Sequence, residues 1–113
     1  MPGIARRGDL VTATDVHKTP NGLASFPFSG PLQSDLVSSV VVNGLPVAVN
    51  GSVAMNVLQP HPGTNRGTVI ATRPVTAGGK PVAAQGDMAT TCNDPKDLPV
   101  GTVNSGSPDV TVG

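Results

Sequence analysis

The sequence predicts an all-β domain built from repeated hairpins, and three observations lead there. First, "NGLPVAVNGSVAM" at residues 43–55 returns 35 positions later as "GGKPVAAQGDMAT" at residues 78–90. A fixed-offset repeat of this kind marks one supersecondary unit used more than once. Second, the chain holds 17 Val and 11 Thr against 26 Gly and Pro in total, so β-branched runs are broken by turn formers. Third, few windows of ten residues escape both Gly and Pro, which leaves little length for helices.

The repeat orders the elements. Gly44 overlays Gly79, Pro46 overlays Pro81, Val47 overlays Val82, Ala48 overlays Ala83, Gly51 overlays Gly86 and Ala54 overlays Ala89. Val40, Val75 and Val110 line up ahead of them. The opening Arg7-Gly8-Asp9-Leu10 matches Asn50-Gly51-Ser52-Val53 and Gln85-Gly86-Asp87-Met88. Three quasi-equivalent sectors follow, centred on Gly8, Gly51 and Gly86. A third copy of the lead-in begins at "SGSPDVTVG", so the two chain ends together are expected to complete one unit. The first sector is longer, its surplus lying around "NGLASFPFSGP".

Within a unit, Val40–Val42 reads as a strand, Asn43-Gly44 as a type I′ turn, and Pro46-Val47-Ala48-Val49 as the returning strand. Gly78-Gly79 serves the same turn in the second copy. Pro46 and Pro81 cannot donate to a ladder and belong at a strand start or on an outward-facing edge. In "LQSDLVSSVVVN", Leu32, Leu36, Val37 and Val40 fall at near-helical spacing. The second half of that stretch reads as strand, and the first half fits either form. Gly8, Gly51 and Gly86 are expected to bend the chain into irregular segments rich in Thr, Asn and Pro.

Composition excludes several roles. Net charge is zero and no basic cluster exceeds Arg6-Arg7, so the electrostatic footprint of nucleic-acid binding is missing. Apolar runs fall far short of the roughly 20 residues of a membrane-spanning helix. "MPGIARRGD" has no apolar signal segment, which predicts synthesis in the cytoplasm and any export by another route. A single cysteine rules out an internal disulfide.

The post-bend segments carry the chemistry. His17 lies nine residues after Gly8, His61 ten after Gly51, and Cys92 six after Gly86. They are the two histidines and the one cysteine of the chain, one from each sector. A lone loop histidine is usually a solvated residue. Equivalent placement of all three favours a shared ion instead, and thiolate with imidazole suits structural Zn²⁺, one per chain, with iron as the other option. Such an ion would replace a missing core, since structural zinc contributes ~10–16 kcal/mol to folding. Water, a backbone carbonyl, Asp15 or Asp94 would complete the coordination. Phe26 and Phe28 either face a lipid or cargo surface or pack against the body, and packing is favoured.

The "NGLPVA" and "GGKPVAAQGD" units, the opening "RRGD", His61-Pro62-Gly63, "TTC" at 90–92 and the closing "GSPDVTV" resemble the PAAR-repeat proteins, named for a Pro-Ala-Ala-Arg motif. That motif falls at Pro81-Val82-Ala83-Ala84 and more loosely at Pro46-Val47-Ala48-Val49, without its Arg. The resemblance implies a small cone-shaped β-hairpin repeat domain with pseudo-threefold symmetry. It would cap a homotrimeric β-helical spike, one tip per trimer, in a contractile injection system: type VI secretion or a phage-tail-like particle. It also implies an apical zinc held by three His and one Cys. Here the match transfers to His17, His61 and Cys92, and the remaining His has no counterpart.

A single domain over residues 1–113 is expected, with no effector extension, so any cargo would be loaded separately. The tip would be assembled into the particle, meet a target membrane only in passing, and be released or injected with it. No enzyme is expected: Cys92 with His17 or His61 as base lacks any nucleophile signature. The rival class is a metal-free β-repeat binding or adhesion module, whose folding would survive loss of all three candidate ligands.

Overall fold

Gly8, Gly51 and Gly86 have φ of 89°, 89° and 95°, a region L side chains rarely enter and the third position of a type II turn requires. Each closes the same four-residue turn. The amides of Asp9, Ser52 and Asp87 donate to the carbonyls of Arg6, Val49 and Ala84 at 3.0, 3.0 and 3.1 Å. In return, side-chain oxygens of Asp9, Ser52 and Asp87 accept the amides of Arg6, Val49 and Ala84 at 2.8, 2.9 and 2.9 Å. Short polar side chains serve because they reach back across their own turn.

The computed structural model describes residues 1–112, and every regular element among them is a strand. These are β1 (Leu10–Thr19), β2 (Gly22–Ser34), β3 (Val37–Val42), β4 (Leu45–Val47), β5 (Val53–Met55), β6 (Arg66–Ile70), β7 (Thr76–Ala77), β8 (Lys80–Pro81), β9 (Met88–Thr91) and β10 (Leu98–Val103). The domain is all-β. One antiparallel pair leaves each capped turn: β1–β2, β5–β6 and β9–β10. They join in the order β1-β10-β9-β6-β5-β2 into a closed barrel, which removes free sheet edges.

The segments after the three bends, expected to be irregular, therefore begin as strands. Alternation is present but masked by turn residues: in β6, Gly67 and Val69 point inward between exposed or half-buried neighbours, and in β9 Ala89 and Thr91 do so. The surplus of the first sector is β2 itself, paired with β1 from Leu10 opposite Pro31 to Thr19 opposite Gly22. It lengthens one hairpin of three.

The barrel encloses an apolar cluster, which corrects the expectation of a nearly coreless body. Val11, Phe28, Leu32, Ala54, Val69, Ala89 and Val103 are buried together. Phe28 fits because Gly67 faces it: a Cβ there would lie 3.2 Å from Phe28 Cζ and 3.5 Å from Val11 Cγ1. Burying that ring contributes about 1.5–3 kcal/mol.

Below the barrel, the three sectors close on one another. Ala5 donates its amide to the Ala83 carbonyl, Ala83 to Ala48, and Ala48 to Ala5, each at 2.9 Å. All three alanines are fully buried and belong to the same apolar cluster as the barrel residues. A second ring runs through Arg7 to Pro46, Asn50 to Pro81 and Gln85 to Gly3, at 3.0, 2.8 and 2.9 Å. Three hairpin feet stand outside it. The β3–β4 and β7–β8 feet turn at Asn43-Gly44 and Gly78-Gly79, all four residues having positive φ as a type I′ turn demands. The third foot is made by the chain ends: Ile4 donates to Val110 at 2.9 Å, Val112 donates to Pro2 at 3.0 Å, and Gly3 bridges Thr111.

β3 begins at Val37, earlier than the expected Val40. The ambiguous half of "LQSDLVSSVVVN" is the end of β2 followed by Asp35 at a φ of 57°, with no helical turn. The molecule measures 46 × 22 × 22 Å, one long axis and two equal short ones. That shape suits three sectors repeated around a line.

Candidate metal centre

The barrel hairpins run outward from the capped turns, so residues far along β1, past the end of β9 and in the loop between β5 and β6 share the end remote from the feet. Those are the positions of His17, Cys92 and His61. On β1, Asp15 and His17 are two residues apart and both are buried, as strand alternation dictates. The long β1–β2 hairpin places Phe26 directly across from Asp15.

His61 Nε2 lies 2.7 Å from Asp15 Oδ2, with both side chains fully buried. The other carboxylate oxygen, Oδ1, accepts the Thr91 hydroxyl. His17 Nδ1 faces Asp94 Oδ2 at 3.6 Å, and that same oxygen accepts the Lys18 amide at 2.7 Å. The His17 and His61 rings meet edge to face with centroids 5.3 Å apart. Phe26 stands at 5.8 and 6.3 Å from them, and Phe28 at 5.9 Å from His61. These edge-to-face contacts pack the two imidazoles against apolar rings.

One donor atom from each of Asp15, His17 and His61 lies within 4.8 Å of the other two. Two ring nitrogens, His17 Nε2 and His61 Nδ1, are buried and lack a hydrogen-bond partner. Leaving a polar atom unsatisfied inside a protein costs about 1–3 kcal/mol, and an ion that takes the imidazole lone pairs removes that cost. Two imidazoles beside a carboxylate are donors suited to a divalent transition metal. This cluster is therefore able to hold one.

Of the three residues singled out from sequence, the structure unites His17 and His61 and sets Cys92 beside them, outside the tight trio. Cys92 is half-buried, just past the last residue of β9. Gly63 lies close to both Cys92 and His17: a Cβ on Gly63 would sit 2.8 Å from Cys92 Sγ and 3.4 Å from His17 Cε1. Its φ of 77° and missing side chain let the loop approach both sulfur and ring closely. Asp15, one of two carboxylates considered for the last coordination position, belongs to the trio, whereas Asp94 is partly exposed, accepts the Lys18 amide and faces His17 but not His61. A groove of about 480 Å³, lined in part by Lys18, Phe26, Pro60 and His61, gives solvent an approach to this end.

Thr91 and Gly63 have no role in the sequence reading beyond motif, and Phe26, read as packing or as facing a lipid or cargo surface, has none at the metal centre. One signal for the carboxylate was available: Asp15-Val16-His17 puts two donors on one face of a strand. Thr91 carries none, since its part depends on β9 and β1 meeting across the barrel. Comparison with known protein families, with characterised proteins and with solved structures gave no match to this chain.

Proposed function

We propose that this chain is the pointed tip of a contractile injection machine, seated on the end of a homotrimeric β-helical spike and stiffened by one zinc ion. The observation that carries the proposal is the closed ring of Ala5, Ala48 and Ala83, which gives a single chain three equivalent sectors about one axis. A chain with that symmetry presents three like feet to one partner, and the natural complement is a threefold trimer. Val40, Val75 and Val110, equivalent in the repeat, are 40%, 48% and 37% exposed, so each foot offers one apolar contact. At the opposite end His17, His61 and Cys92 would hold the metal where the three barrel hairpins end. The task is mechanical, with no turnover, and contact with a target membrane is brief.

Two measurements test this. Elemental analysis of protein purified without chelator should find one zinc per chain, lost in Cys92→Ala prepared identically. Light scattering of the chain mixed with a trimeric β-helical spike should give one copy per trimer, weakened at least tenfold by Val75→Asp. Three copies per trimer would overturn the capping proposal. Absence of metal from the wild type would remove the ion, and a metal-free binding module would then be the better reading.

A further inference from the structure

We infer that Asp15 is a positioning residue for the metal centre: it fixes which nitrogen of His61 faces the ion and does not itself bind the ion. The inference rests on the metal-centre reading above and assigns roles within it.

Both oxygens of the Asp15 carboxylate are already engaged, Oδ1 by the Thr91 hydroxyl and Oδ2 by His61 Nε2. Each oxygen keeps a second lone pair, so the placement rests on direction: the side chain is fully buried, its Oδ2 meets His61 Nε2 at 2.7 Å, and the unpartnered nitrogen of that ring is the other one, Nδ1. A carboxylate can only accept from imidazole, which makes Nε2 the nitrogen that carries the proton. The lone pair of neutral His61 is then on Nδ1, the atom that is buried without a partner. His17 is arranged the opposite way around its ring: Nδ1 faces Asp94 and Nε2 is the buried orphan. Each imidazole thus turns one nitrogen toward a carboxylate and leaves the other available. That is the outer-shell pattern by which ligating histidines are oriented. Thr91 extends it one step, anchoring the carboxylate to β9, while Phe26 and Phe28 pack edge to face against the His61 ring. The ligand atoms the two histidines offer are then His17 Nε2 and His61 Nδ1, with Asp15 behind His61; Cys92 enters only through the function proposed above.

The test uses the whole chain, Zn²⁺ in competition with a chromophoric chelator, and Co²⁺ as a spectroscopic probe. Asp15→Asn should weaken Zn²⁺ binding by roughly 10–100-fold while leaving the positions of the Co²⁺ visible bands and the thiolate charge-transfer band unchanged. Thr91→Val, close in shape and more easily tolerated, should weaken binding in the same direction by a smaller factor. Nitrogen-15 NMR of metal-free wild type should show His61 protonated on Nε2, which needs no variant to fold. Unchanged Zn²⁺ affinity in both variants, a shift of the Co²⁺ bands on loss of Asp15, or His61 protonated on Nδ1 would each overturn the inference alone. A wild type that binds neither ion would overturn the metal-centre reading, and the inference with it.

Discussion

Phe28 and Phe26 stand two residues apart on β2, face the same side of the strand, and have different surroundings. Phe28 fills the barrel against Gly67 and Val11; Phe26 lies higher, against the two histidines. Phe28→Ala should cost about 3–5 kcal/mol, read from the urea midpoint by circular dichroism, because the space it leaves is enclosed by strands on every side. Phe26→Ala should cost less than half of that, its effect falling instead on metal retention. At this scale the sequence was partly legible. The preference for packing holds for Phe28, which is buried in the barrel, whereas Phe26 is half-buried and lines the groove; His17 and His61 do converge. The link from Asp15 to Thr91 was not legible, because it joins residues 76 positions apart through a pairing no local pattern encodes.

Among elements, the crossing of β2 over the end of β5 is the tightest contact. A Cβ on Gly30 would fall 2.0 Å from the Met55 carbonyl oxygen and 2.8 Å from the Asn56 amide nitrogen. Asn56 fastens the crossing, its Oδ1 accepting the Ser29 and Leu58 amides at 3.0 Å each. Gly30→Ala is therefore expected to destabilise by more than about 3 kcal/mol, since backbone rather than a flexible side chain must move. Thermal unfolding by circular dichroism checks it. The turns were the most readable elements: Asn43-Gly44 and Gly78-Gly79 have the positive φ values their residue types demand. The barrel strands were harder to see because Gly and Pro interrupt them. Gly30, Gly67 and Gly101 punctuate strands as close-approach sites rather than as turns, and composition cannot separate the two uses.

For the whole molecule, the threefold repeat read from sequence is realised in hydrogen bonds, including the sector split between the two ends of the chain. Deleting residues 109–113 removes the partners of Ile4 and Pro2 and the burial of Val112. The expected loss is about 3 kcal/mol, from two backbone hydrogen bonds and one valine side chain. Unfolding should stay a single transition, since Ala5 and Ala83 remain tied through the ring, while amide exchange at Ile4 should rise by orders of magnitude. Hydrogen-exchange mass spectrometry resolves the two effects.

The third foot has one more consequence, for what can be attached to this body. In the register of the repeat, the break between residues 113 and 1 falls where Asn43-Gly44 and Gly78-Gly79 stand in the other two units. Pro2 and Val112 thus stand together at one foot, and among the described residues the end that carries His17 and His61 is crossed by hairpin turns and loops. Any polypeptide continued from either end would leave beside that foot, so a passenger carried there would lie away from the histidine cluster.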